Sequence, residues 1–174
     1  MKGIFLIVVC LFLGEILSAQ SPVRLNIVLN HVQNLTINPA QREVILTYNN
    51  LQDYREGVEV AQKAHITVFS TGAYEVKVKL ANEEYINLAS KSNGVILPNI
   101  KVRANPAQAE ADLLLYTGKL NTQGETIISS DKPAFDTVFD IIYQGPGKEE
   151  FIKYADQNKT VTFTNDVLYS IETR

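Results

Sequence analysis

Tryptophan is missing from this 174-residue chain, and its single cysteine, Cys10, and single methionine, Met1, both fall within the first nineteen residues. Residues 20–174 therefore contain no thiol. That excludes disulfide staples, paired-cysteine redox chemistry and cysteine-rich zinc sites there, and leaves the fold to burial and backbone pairing. Long apolar runs are missing too. The stretch Ile4 to Leu13 stops at Gly14-Glu15, well short of the roughly 18 apolar residues that a bilayer-spanning helix needs. Neither sign of charge dominates: 16 Lys and Arg stand against 19 Asp and Glu, a net charge of −3, with the two signs interspersed. Nucleic acid and anionic lipid draw affinity mainly from clustered Lys and Arg, so neither is expected as a partner.

The chemistry-bearing motifs are also wanting. There are two histidines, His31 and His65, neither in an H-E-x-x-H pattern, and a zinc site would need both plus a carboxylate brought in by folding. G-x-S-x-G, the phosphate-binding loop and the calcium-loop spacing do not occur. Asp136 and Asp140 share a strand face, but four residues of strand separate their backbones by about 13 Å, wider than the roughly 10 Å limit for glycosidase carboxyl pairs. They read as the solvated side of a strand. No cofactor, no metal and no catalytic residue is expected, and the chain is not expected to be an enzyme.

What is present begins with Lys2, the apolar stretch Ile4 to Leu13, and Leu17-Ser18-Ala19 before Gln20. Positive, apolar and small-residue regions in that order define a secretory signal peptide over residues 1–19, with export from the cytoplasm and no membrane span after cleavage. Removing Lys2 and Glu15 leaves 15 basic and 18 acidic residues, the same net charge of −3. The remaining residues, 20–174, have the length of one domain, with two small sandwiches as the alternative.

Their dominant period is two, that of strands with one buried face. Val23, Leu25, Ile27 and Leu29 alternate with Arg24, Asn26 and Asn30. This run can close its own sandwich as an internal strand or be lent to a neighbour's open sheet edge; the internal strand is the expectation, because an exposed donor this apolar is an aggregation hazard. Tyr74, Val76, Val78 and Leu80 alternate with Glu75, Lys77 and Lys79. With the run Ile66 to Ser70 they read as a hairpin around Thr71-Gly72, in a register that sets Ile66 and Val68 beside Val76 and Val78. At the C-terminal end Val161, Phe163, Val167, Tyr169 and Ile171 form an apolar face that Asn165 interrupts, so a bulge or bend is expected there. Turn signals such as Asn38-Pro39, Asn93-Gly94 and Gly145-Pro146-Gly147 punctuate further short strand candidates. Helix is expected only in short pieces, at Pro106 to Asp112 and Gly147 to Asp156.

Eight tyrosines raise the question of sugar stacking. Tyr48, Tyr74, Tyr143 and Tyr169 alternate with polar neighbours as core residues do, and Tyr54, Tyr85 and Tyr154, in more polar surroundings, are the candidates for exposed aromatic contacts.

The leader, the opening strand Val23 to His31, the turn at Asn38-Pro39, the segment Ile66 to Lys79 and the closing strand Thr160 to Glu172 together resemble secreted fimbrial or pilin-like β-sandwich proteins of bacterial envelopes. The resemblance lies in the pattern along most of residues 20–174. It implies an all-β, immunoglobulin-like or pilin-like antiparallel sandwich at the periplasm or cell surface of a bacterium, with a structural or adhesive role and with itself or another envelope protein as partner. A glycan- or protein-binding module is the alternative, and a secreted hydrolase with a site assembled from distant residues the third.

Overall fold

The computed structural model describes residues 23–89, 94–108 and 112–174; the leader expected at residues 1–19 lies outside them. Residues 31–174 make one compact unit, and residues 23–30 are not part of it. All described elements belong to the larger unit. They are β1 (Gln33–Ile37), helix α1 (Leu51–Glu56), β2 (Val58–Ser70), β3 (Tyr74–Leu80), β4 (Ile86–Asn87), β5 (Lys101–Pro106), β6 (Leu113–Leu115), β7 (Thr117–Lys119), β8 (Glu125–Ser130), β9 (Ala134–Gly145), β10 (Phe163–Thr164) and β11 (Val167–Thr173), with single 3-10 turns at Pro39–Gln41 and Ile152–Tyr154.

The fold is all-β and antiparallel. One sheet has the order β1-β2-β9-β5-β7, a second β11-β3-β8-β6, and β4 pairs with β10 in a short ribbon. Apolar residues at alternate positions put one face of each large sheet into a common core: Ile66, Val68, Val102, Phe139 and Ile141 from the first, Tyr74, Val76, Val78 and Ile128 from the second. Each is fully buried or nearly so, and such a side chain contributes roughly 1.5–3 kcal/mol. On one side, β6 and β7 are separated by Tyr116 alone, whose N–H donates to the Ile127 carbonyl, so this stretch passes from the second sheet to the first.

Several expectations are corrected here. The segments Ile66 to Ser70 and Tyr74 to Leu80 do not form a hairpin. β2 pairs with β1 and β9, and β3 with β11 and β8. The link Thr71–Ala73 carries the chain across the core from one sheet to the other. Both apolar sets do face the same core, but from opposite sheets, so periodicity found the faces and not the pairing. The expected opening strand Val23 to Leu29 is absent: these residues belong to no strand, and Val23, Leu25, Ile27 and Leu29 are 92, 80, 73 and 89 % exposed. The edge of β2 that such a strand would occupy is held instead by β1, in register from Gln33 opposite Ser70 to Ile37 opposite Ile66. No helix forms in the described part of Pro106 to Asp112, because β5 continues to Pro106 against Phe139. Gly147 to Asp156 holds turns and the 3-10 turn only. The break at Asn165 is present, between β10 and β11, with the Asn165 amide donating to the carbonyls of Asn82 and Glu84 at 2.7 and 3.2 Å.

The pairing of β2 with β9 slips between Gln62 and Ile66, where Ala64 adopts a left-handed φ of 48°. Asp140 fills the bulge. One carboxylate oxygen accepts from the Ala64 N–H at 2.8 Å and the other from Lys63 at 2.7 Å. These two bonds hold its pKa below the usual range. Asp140 is thus a buried structural residue, not part of a solvated strand face, whereas Asp136 is exposed, at φ 55°.

Candidate functional site

On the side opposite the β6–β7 crossing, the outermost strands β1 and β11 run close together without pairing. Between β1 and α1 the chain passes through residues 43–48, where Val44, Leu46 and Tyr48 are half-buried and Glu43, Ile45 and Thr47 exposed. That is the burial alternation of a strand. Yet no backbone group of 43–48 is hydrogen-bonded to a described residue, an unusual state for a segment whose side chains pack on the core.

Side chains tie both ends of this segment to the β10–β11 edge. At one end the Gln41 amide donates to the Lys63 carbonyl at 2.8 Å, leaving its oxygen to face Nδ1 of His65 at 3.1 Å. If Nδ1 carries the proton, Nε2 of His65 accepts from the Tyr143 hydroxyl at 3.4 Å, and the Tyr143 oxygen from the Tyr169 hydroxyl. His65 packs edge-on against both tyrosine rings, with centroids at 6.1 and 5.9 Å. This relay joins the first sheet to β11. At the other end an aromatic file runs from Tyr54 through Tyr48, Phe151 and Tyr154 to Phe163, with centroids 5.0–6.1 Å apart. The two chains of contact reach the β10–β11 edge at Tyr169 and at Phe163. Leu35, Val44, Leu46, Val167, Tyr169 and Ile171 are all partly buried and packed on the core.

Burial sets the titration of the relay. It lowers the pKa of His65 and raises those of Tyr143 and Tyr169, the latter well above its ordinary value, with the neighbouring Tyr143 adding to the rise. All three are therefore neutral at neutral pH. Tyr48 is likewise raised, by burial first and then by Glu150 and Asp53, and donates to the Pro146 carbonyl at 2.8 Å.

The sequence-predicted site residues are not brought together. Tyr85 is buried, at 8 % exposure, with its backbone bridged to Val95 and burial lifting its pKa to about 12; its polar neighbours Glu83 and Glu84 lie on a bend and misrepresent its side. Tyr54 and Tyr154 are half-buried members of the aromatic file, not free contact residues. His31 is exposed beside Thr71, at 3.0 Å from its hydroxyl, while His65 is buried in the relay. No group of three or more His, Cys, Asp or Glu side chains capable of holding a metal occurs among the described residues. Of the seam, Glu43 to Tyr48 reads in the sequence as a short strand from the period-two signal of Val44, Leu46 and Tyr48, yet it pairs with no described strand; the seam as a whole was not legible. Comparison with protein-family models and with curated proteins yields no match.

Proposed function

We propose that the protein is a structural subunit of an extracytoplasmic bacterial assembly, in which residues 23–29 of one copy add as a strand to the seam between 43–48 and β11 of another. The observation that carries this reading is the pairing of opposites in one chain. Four aliphatic side chains at alternate positions stand in solvent, and two backbone edges with no strand partner on that side among the described residues border a half-buried apolar floor. Strand addition would satisfy both: main-chain hydrogen bonds supply affinity, and alternate side chains enter the floor. Burying Val23, Leu25, Ile27 and Leu29 would contribute roughly 6 to 12 kcal/mol before ordering costs are subtracted, at about 1.5–3 kcal/mol each. Export by way of residues 1–19 and a location at the periplasm or cell surface belong to the same reading.

Deleting residues 20–30 tests it. The truncated protein should keep its β-type circular dichroism, elute as a monomer, and bind a peptide spanning Val23 to His31. Loss of fold would return the segment to an internal role, and unchanged self-association would place the contact elsewhere.

A further inference from the structure

A cleft of about 420 Å³ opens where α1, the Gly145-Pro146-Gly147 loop and the ends of β5 and β7 meet. Four cations line it: Arg55, Lys101, Lys119 and Lys148, with Glu56 and Glu150. In a chain of net charge −3 this gathering of positive charge is out of keeping with the rest. Lys101 and Lys119 stand directly opposite one another on neighbouring antiparallel strands, where like charges destabilise a sheet. Neither they nor Lys148 form an ion pair with any described residue. Arg55 meets Glu149 at 3.5 Å, but both are more than half exposed, and such a pair holds the guanidinium only weakly.

The wall of the cleft is strained. Lys148 and Glu149 occupy successive left-handed conformations, at φ 53° and 62°, which cost a non-glycine residue about 1 kcal/mol or more each. Their N–H groups donate to the carbonyls of Arg55 and Tyr54 at 2.8 and 2.7 Å, locking the loop to α1. Gly147 lies so close that a Cβ there would meet the Arg55 carbonyl oxygen at 2.6 Å. Opposed lysines and a strained turn, both unfavourable for stability, converge on one concavity.

We propose that this cleft binds the carboxylate-bearing residue of an acidic saccharide. The cations supply the recognition of the acid group, while Glu56, Glu150, Asn99 and Gln144, all at the cleft, offer acceptors and amides for sugar hydroxyls. Two carboxylates in the lining disfavour a bare polyanion such as DNA, which brings no hydroxyls along its length to satisfy them. Calorimetric titration of the full chain with trigalacturonic acid and with its neutral methyl ester tests the assignment. The acid should bind and the ester should not, and raising the salt concentration should weaken the acid by about tenfold or more. The K101Q/K119Q variant should lose about tenfold or more in affinity while melting no lower than the parent, since it removes a like-charge pair. No binding of the acid, equal binding of the ester, unchanged affinity in the variant, or displacement by inorganic sulfate at equal concentration would each overturn the proposal.

Discussion

His65 shows how one buried residue can make a fold sensitive to pH. Its neutral form fits a one-directional relay: a donor to Gln41, an acceptor for Tyr143, and Tyr169 behind it. Protonation places a second donor where Tyr143 must donate, and the relay between the sheets reverses or breaks. Its folded pKa lies below the ordinary 6.5. The stabilisation is therefore complete above about 6.5 and is lost as pH falls through the folded value, at up to about 1.4 kcal/mol per pH unit in that window. Urea midpoints measured from pH 7.5 down to 5 should fall for the parent and change less for His65→Gln; parallel curves would show that another group governs the acid response. Asp140 makes the complementary case. Asp140→Ala strips the Ala64 N–H and Lys63 of their acceptor and should cost about 1–3 kcal/mol by chemical denaturation, far more than the change Asp136→Ala at an exposed position.

At the scale of elements, α1 is the piece that local chemistry specifies most fully and that period-two reading overlooks. The Asn50 side chain accepts from the N–H groups of Gln52 and Asp53, and Asp53 accepts in return from Asn50, a capping box that starts a six-residue helix. Gly57 ends it at φ 88°, where a Cβ would lie 2.5 Å from the Gly145 carbonyl oxygen. Gly57→Ala is therefore expected to destabilise by about 1–2 kcal/mol or more and to loosen the wall of the cationic cleft, a change visible as faster amide exchange at Lys148 and Glu149. Strand faces were legible because inward residues such as Val76, Val78, Tyr169 and Ile171 alternate with polar ones. Which strand pairs with which was not legible, since Ile66 and Val68 can bury against Val76 and Val78 either beside them in one sheet or across the core from another. Tyr85 and Asp140 were misread for a related reason: their burial comes from a bridge and a bulge formed with residues ten or more positions away.

For the whole molecule, the proposed contact has a direction. A segment given by one copy and a seam offered by the next are different surfaces, so donation passed on from copy to copy builds rings or open filaments, while reciprocal exchange between two copies closes a twofold dimer. Two separate lesions can therefore be made. Ile27→Asp places a charge on the donated face, at a residue that is 73 % exposed and so should leave the fold intact. Leu46→Asp places one in the floor of the seam, at a partly buried position, and its circular dichroism must match the parent before it is used. Each variant alone should remain monomeric in light scattering at concentrations where the parent forms larger species. Mixed in equal amounts, they should form a dimer and nothing larger. The Leu46→Asp copy can still donate to the intact seam of the Ile27→Asp copy, and neither remaining surface can extend the chain. A symmetric contact through any other face would leave both variants assembling like the parent, and a mixture that stays monomeric would separate residues 23–29 from the seam.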